Sequence, residues 1–192
     1  MRKTLLLALT FLALFSCTKE EPTGQTPLTA VLKSDINANH STFQYFSFVT
    51  GDTIPTADSS TTNWDIAFKG TTVILNSGIS GTGNAGVVIL DAIFSEVTEA
   101  PTTGYAQDSN SSLAIPAGSN NGWYNYAGPP NHTITPLAGK VFVIKTALGN
   151  YAKLEFISYY KGAPAEPNGL TDESRYFTIR YVYQPDGTTN LE

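Results

Sequence analysis

The segment GWYNYAGPPNHTITP, residues 122–136, carries the side chains best suited to bind a flat or metal-containing ligand. Trp123, Tyr124 and Tyr126 offer aromatic faces, and a Gly-Pro-Pro turn then leads to His132. A neutral imidazole is a common metal ligand, and a tyrosine phenolate can bind ferric iron. Three arrangements are open: a metal ligand in this segment, rings packed on an uncoordinated ligand, or core rings beside an exposed histidine. Residue chemistry alone favours the third.

Other residues with catalytic or metal-binding potential are few. His40 stands in the polar run NANHST and is interpreted as an exposed loop residue. A structural zinc site needs four nitrogen or sulfur ligands, which two histidines do not supply. Asp65 and Glu155 could form a glycosidase-like carboxylate pair, but alternation along their strands predicts that both face solvent. We therefore predict a protein that is not an enzyme.

The stretch GTGNAG, residues 81–86, matches the G-x-G-x-x-G pattern of dinucleotide-binding proteins. That chemistry requires a helix N-terminus directly after the glycines, where free N–H groups bind the pyrophosphate. Here TTVIL precedes the glycines and GVVILDAIF follows them, so both flanks read as strands. The pattern favours a flexible hairpin loop over a nucleotide site.

The N-terminus predicts a lipoprotein signal peptide over residues 1–16. Arg2 and Lys3 precede an apolar run that is too short to span a bilayer comfortably. Leu14, Ser16 and Cys17 resemble the lipobox of bacterial lipoproteins, in which the cysteine is acylated. Cys17 is the only cysteine, which disfavours a disulfide role.

Residues 17–27 are predicted to form a polar, disordered tether behind the lipid anchor at Cys17. The acidic residues in this tether resemble a surface-export signal, so we expect a lipid-anchored outer-membrane protein exposed at the cell surface. A lipoprotein facing the periplasm is the alternative.

Residues 28–192 are predicted to form one domain that is acidic overall. The sequence has 11 basic and 16 acidic side chains, and removal of the signal peptide leaves 9 basic ones, a net charge near −7. A protein that binds nucleic acid needs a basic face to neutralise phosphates, and no Lys/Arg cluster exists here. Nucleic acid is therefore excluded as a partner, and membrane association should depend on the lipid.

Alternation of apolar and polar residues with period two dominates this domain and predicts an all-β antiparallel fold with half-buried sheets. Helical periodicity is not evident. A Leu-Gly-Asn turn between Thr146 and Tyr151 predicts a hairpin. The predicted strands lie within 42–50, 63–69, 71–76, 86–94, 140–146, 151–160 and 175–184.

An ordered set of segments resembles the HmuY-like family of bacterial haem-binding lipoproteins. The resemblance covers about residues 35–187 and implies an all-β fold, with capture of haem or a related tetrapyrrole for uptake through a TonB-dependent outer-membrane transporter. The matching segments are QYFSF, NWDIAF, NSGISGTGNAG with VVIL, PTTGY, the GW pair, KVFVIKTALGNYAKLEFISYY and YFTIRYVYQ.

Haem binders of this family hold the iron between two axial histidines or methionines, one before the GW pair and one just after it. Residues 106–121 contain neither type, and the later position falls near Gly128. The resemblance thus implies His132 as a displaced single axial ligand, with Trp123, Tyr124 and Tyr126 against the porphyrin, or haem bound without coordination.

Two further functions stay open at this point. A surface lipoprotein of the same fold could bind another ligand, a glycan or a protein partner through its tyrosine-rich strands. A carbohydrate-processing enzyme is the weaker alternative. Lys69 or Lys140 are candidates to pair with haem propionates on charge alone.

Overall fold

The computed structural model describes residues 27–192. The predicted signal peptide, the predicted lipid site at Cys17 and all of the predicted tether except Pro27 lie outside the described residues. Within these residues, the regular structure consists of eleven strands and two short 3-10 helices, Thr56–Asp58 and Phe94–Glu96. The strands are β1 (Val31–Asn37), β2 (Gln44–Ser47), β3 (Asp52–Ile54), β4 (Ile66–Lys69), β5 (Thr72–Leu75), β6 (Gly86–Asp91), β7 (Tyr124–Tyr126), β8 (Ile134–Pro136), β9 (Lys140–Lys145), β10 (Tyr151–Tyr160) and β11 (Ser174–Gln184).

The strands form three antiparallel sheets. A five-stranded sheet has the order β1-β11-β10-β9-β6, and a four-stranded sheet has the order β3-β2-β4-β5. A small third sheet pairs β7 with β8. The all-β antiparallel prediction is confirmed, and the predicted hairpin joins β9 to β10, where Tyr151 pairs with Lys145. Within residues 27–192, no helix is long and apolar enough to cross a membrane.

The main core lies between the two larger sheets. Alternate residues of facing strands point inward, as the period-two pattern requires. Phe46 of β2 meets Tyr181 of β11 with ring centroids 5.8 Å apart, and Phe68 of β4 meets Phe177 of β11 at 4.8 Å. These ring contacts join the sheets into a sandwich, and aromatic burial supplies much of its stability.

The expectation that the second face of each sheet is exposed to solvent is wrong for the central strands. On the five-stranded sheet, Val141 and Val143 are fully buried beneath Phe94, Val97 and Leu191, which belong to the segments that follow β6 and β11. Short segments outside the strands thus cover the outer face. Alternation within a strand does not predict whether another segment of the chain packs on that face.

Ala67 shows the same effect on the four-stranded sheet, because it is buried with Tyr45, Trp64 and Ile74. Asp65, which directly precedes β4, is also buried. The Asp65 carboxylate accepts hydrogen bonds from the backbone N–H of Phe48, at 2.9 Å, and of Ala147, at 3.0 Å. Phe48 follows β2 and Ala147 follows β9, so one buried carboxylate links the two sheets. Burial raises the pKa of Asp65 above its usual value.

The edge strand β1 was not predicted. Only Ile36 among its residues is fully buried, so its sequence lacks the alternation of apolar and polar residues. The strand runs along β11 towards one end of the sandwich. There, the N–H of Ala38 donates to the carbonyl of Arg175 at 2.8 Å, and the N–H of Gly70 donates to the carbonyl of Ala38 at 3.0 Å. These two bonds gather three segments that are distant in sequence at the same end.

Candidate ligand-binding cavity

A surface cavity of about 710 Å³ lies at this end of the sandwich. It is formed by the segment that follows β1, the β4–β5 turn, the end of β10, the start of β11 and Gly169 in the loop between these last two strands. The loop between β7 and β8 completes the wall with His132, next to Ile134. Its volume falls within the range of small-molecule and cofactor sites, roughly 300–1,000 Å³.

His132 is held in the loop between β7 and β8 by both its backbone and its side chain. The N–H of His132 donates to the carbonyl of Gly128 at 2.8 Å, and the His132 backbone adopts a left-handed φ of 51°. The imidazole Nδ1 is hydrogen-bonded to the hydroxyl of Tyr126. Because Tyr126 occupies Nδ1, the nitrogen that remains for a ligand is Nε2. The predicted pair Tyr126 and His132 therefore lies together in the structure.

Trp123 belongs to the core. Its side chain is 1% exposed, and its ring packs against Phe156 and Phe177, each at 4.9 Å between centroids. The indole N–H donates to the carbonyl of Thr71 at 2.9 Å. A ligand has no open face of this ring to pack on, so the expected contact between Trp123 and a porphyrin does not fit this arrangement.

Tyr124 is also buried, with 9% of its surface exposed and its ring 4.8 Å from that of Trp123. Its position matches the third sequence interpretation, in which the rings of this segment serve the core. Tyr126 differs, because 42% of its surface is exposed. The segment thus divides into two buried rings that fix its start and an exposed Tyr126–His132 pair beyond them.

His40 lies in the bend after β1 and lines the same cavity as His132. It is exposed, as the polar run NANHST predicts, but it does not lie apart from the candidate site. The link between Ala38, Gly70 and Arg175 places His40 at the cavity. His40 was not predicted as a site residue. The one feature of the sequence that could have indicated it is that the chain contains only two histidines.

Two permanent cations also line the cavity. Lys69, at the end of β4, lies 5.9 Å from the centroid of the Phe43 ring, and Arg175 lies at the start of β11. No aspartate or glutamate within 27–192 contributes to the lining. Lys140, the other candidate for propionate binding, lies outside the cavity and pairs with Asp91 at 2.5 Å.

Arg175 and Tyr159 form a polar cluster in the wall. The Arg175 guanidinium donates to Asn39 Oδ1 at 2.9 Å and also interacts with the phenol of Tyr159. Burial raises the pKa of Tyr159 to about 12, although the nearby Arg175 opposes this shift. Tyr159 is therefore a neutral phenol at physiological pH.

The described residues contain no group of three or more His, Cys, Asp or Glu side chains that could hold a metal ion. The two imidazoles that line the cavity, those of His40 and His132, are of the side-chain type that binds haem iron axially.

The G-x-G-x-x-G stretch has a packing role in the structure. A Cβ atom at Gly81 would lie 2.1 Å from Oδ1 of Asn76, and one at Gly83 would lie 2.7 Å from the Asn76 carbonyl. Asn76 is fully buried and donates to the carbonyl of Trp64 at 2.7 Å. The loop is also no hairpin, because it crosses from β5 in one sheet to β6 in the other.

The candidate carboxylate pair does not form a site either. Asp65 is engaged by two backbone N–H groups, whereas Glu155 on β10 pairs with Arg180 on the adjacent β11. Each carboxylate thus has its own structural partner.

Comparison with protein-family models identifies the family of the chain. The model of the HmuY protein family matches residues 39–181 of the chain. The chain belongs to the HmuY family. The match includes both histidines of the cavity and ends within β11.

Solved structures resemble this HmuY-family protein along most of its length. The apo form of the HmuY analogue TFO from Tannerella forsythia is 17% identical, with a TM-score of 0.55, and the match covers 84% of this chain and 98% of that one. A Bacteroides vulgatus protein called HmuY-like and heme binding is 19% identical, with a TM-score of 0.51 and coverage of 82% and 93%.

A third neighbour, a Bacteroides fragilis protein called a lipoprotein, is 17% identical, with a TM-score of 0.54 and coverage of 81% and 92%. At these identities the likeness shows a shared fold. No curated protein matches the chain at a significant level.

Proposed function

We propose that this HmuY-family protein is a non-enzymatic binding protein for haem or a related tetrapyrrole, held in the cavity beside His132. The observation that carries the proposal is that both histidines of the chain, His40 and His132, line one cavity of about 710 Å³. Two imidazoles at one cavity of this size suit a haem, whose iron accepts axial imidazole ligands.

The residues present fit this ligand in three respects. Nδ1 of His132 is occupied by Tyr126, so Nε2 is the candidate donor to iron. His40 provides a second imidazole from a segment before the GW pair, where residues 106–121 offer none. Phe43, Ile134 and Tyr159 form an apolar and aromatic part of the cavity wall. Burial of a porphyrin ring against this wall removes apolar surface from water, which is favourable.

A haemin titration tests the proposal. The protein would begin at position 17 with Cys17→Ser, which keeps it free of lipid, and absorbance would be recorded in the ferric and ferrous states. We expect a shifted Soret band that saturates with haemin. His132→Ala and His40→Ala should each weaken binding and alter the spectrum, because each removes an axial donor.

Asn131→Ala is the matched control, since Asn131 is an exposed neighbour of His132 in the same loop. It should retain the spectrum of the parent protein. If haemin gives no saturable Soret change, the haem proposal fails. If both histidine variants keep the parent spectrum, haem binds without the proposed ligands.

We further propose that Cys17 anchors the protein by lipid at the outer membrane, exposed at the cell surface, and that the haem passes to a TonB-dependent transporter. The lipobox-like sequence before Cys17 supports the anchor, as does the name lipoprotein given to the Bacteroides fragilis neighbour. Metabolic labelling with an alkynyl palmitate should mark the full-length protein and should not mark Cys17→Ser. Protease access in intact cells then tests surface exposure.

A further inference from the structure

The charge of the cavity is opposite to that of the protein. The chain has 16 acidic against 11 basic side chains, yet the described lining contains Lys69 and Arg175 and no carboxylate. Ligand sites are expected to complement the charge of their ligand. A basic lining in an acidic protein therefore points to a negatively charged ligand.

Acidic residues close to the cavity are engaged elsewhere. Glu173, which precedes the lining residue Ser174, pairs with Lys161 at 2.8 Å. The Asp172 carboxylate accepts the N–H of Asn168 at 2.7 Å, and Asp35 accepts the N–H of Gly162 at 2.8 Å. Among the described residues, none of the ion pairs within 4 Å involves Lys69 or Arg175.

Arg175 is held in place before any ligand arrives. Its backbone has a left-handed φ of 70°, and its carbonyl accepts the N–H of Ala38. Its guanidinium interacts with Asn39 and Tyr159. A guanidinium has five N–H donors, so donors remain for a ligand carboxylate. Because neighbours already restrict the side chain, binding costs less rotamer entropy than at a free surface arginine.

We infer that the cavity selects ligands that carry free carboxylates, with Arg175 as the principal carboxylate-binding residue and Lys69 as its partner. This inference rests on the proposed tetrapyrrole function and deepens it by naming the chemical group recognised. A charge-assisted bond between a guanidinium and a carboxylate is stronger than a neutral hydrogen bond. The carboxylates, and not the porphyrin ring alone, then determine which ligand is retained.

The test compares each acid with its own ester, so that the ring stays the same and only the charge changes. Haemin and haemin dimethyl ester form one pair, followed by absorbance. Pyrenebutyrate and its methyl ester form an iron-free pair, followed by fluorescence. We expect the parent protein to bind each acid about tenfold more tightly than its ester, the effect of roughly one charged hydrogen bond. Added salt should reduce the preference, because these side chains are exposed.

Arg175→Gln should abolish most of the preference for the acid, and Lys69→Gln should reduce it. Lys140→Gln is the control, because it removes one positive charge from a residue outside the cavity. It should keep the full preference. Lys69→Gln also keeps the test decisive if Arg175→Gln fails to fold, since Lys69 is exposed at a strand end.

The outcomes separate this inference from the haem proposal. If haemin fails to bind while pyrenebutyrate shows a preference that depends on Arg175, the carboxylate inference stands and the haem proposal falls. If haemin and its ester bind equally well, the inference is overturned and the haem proposal survives. Equal binding of acid and ester in both pairs, or a preference that survives Arg175→Gln, also overturns it.

Discussion

The hydroxyl of Tyr126, at the end of β7, is hydrogen-bonded to Nδ1 of His132 across the loop that leads to β8. This contact orients an imidazole that lines the cavity. A histidine that binds metal through one ring nitrogen usually donates its other N–H to a neighbouring acceptor, which fixes its tautomer. Tyr126 therefore has a positioning role in the proposed site.

Tyr126→Phe tests this role, because it keeps the ring and removes only the hydroxyl. We expect haemin affinity to fall about 10- to 100-fold, as for other partners that orient metal-binding histidines. In the protein without haemin, the ¹⁵N shifts of the His132 ring should change from one dominant tautomer towards a mixture.

Tyr176→Phe is the matched control for Tyr126→Phe. Tyr176 interacts with Glu173 and does not line the cavity. It should change neither the haemin affinity nor the ring ¹⁵N shifts. Unchanged His132 shifts in Tyr126→Phe would show that the hydroxyl does not hold this imidazole.

Gly169→Ala should weaken haemin binding about tenfold, the lower end for loss of support behind a metal ligand. A Cβ at position 169 would lie 2.4 Å from the backbone carbon and oxygen of His132, so the two loops would have to separate. Gly162→Ala changes the same loop at a point with no atom within 4 Å. Its φ of 71° strains an alanine locally, but the added methyl pushes on no part of His132, so the affinity should stay unchanged. Equal effects of the two variants on haemin titrations would contradict this account.

The fold was largely predictable and the site was only partly so. Strand β10 has the predicted bounds, because Leu154 and Phe156 alternate with Lys153 and Glu155 and tyrosines stand at both ends of the run. The predicted contact between Trp123 and a ligand does not fit the structure, because the presence of an aromatic residue does not distinguish a ring in the core from a ring that binds a ligand. His40 and Arg175 meet at the cavity only through the pairing of β1 with β11, whose register includes a shift between Lys33 and Ile36. A single sequence does not specify such a register.

Gly83→Ala should destabilise the protein by about 1–3 kcal/mol, as other insertions into packed sites do. The added methyl would lie 2.7 Å from the Asn76 carbonyl and 2.8 Å from the Ala147 Cβ. Gly70→Ala is the comparison, since its Cβ enters open space and the cost is only the strain of a φ of 57°, about 1 kcal/mol. Urea unfolding measures both, and an equal loss in the two variants would show that crowding is not the cause.

Asp65→Asn should destabilise the protein by about 1–3 kcal/mol at acidic pH, the cost of leaving a buried group without its partner. At acidic pH the folded Asp65 is a protonated carboxyl, and both of its oxygen atoms can still accept from the N–H groups of Phe48 and Ala147, whereas an asparagine amide offers only one oxygen. The amide NH₂ would face one of these N–H groups, donor against donor. Urea unfolding of the parent and variant proteins gives the difference in the free energy of unfolding.

That difference should become smaller as pH rises. Burial raises the pKa of Asp65 in the folded protein above its value in the unfolded chain, so the folded state binds the proton more tightly. Between the two pKa values, the parent protein therefore loses stability with increasing pH, starting near the unfolded value of about 3.9. Asp65→Asn has no proton to lose and lacks this slope. Unfolding measured at intervals between pH 4 and 7 follows the difference, and a difference that grows with pH would mean that the two backbone hydrogen bonds outweigh burial and hold this pKa down.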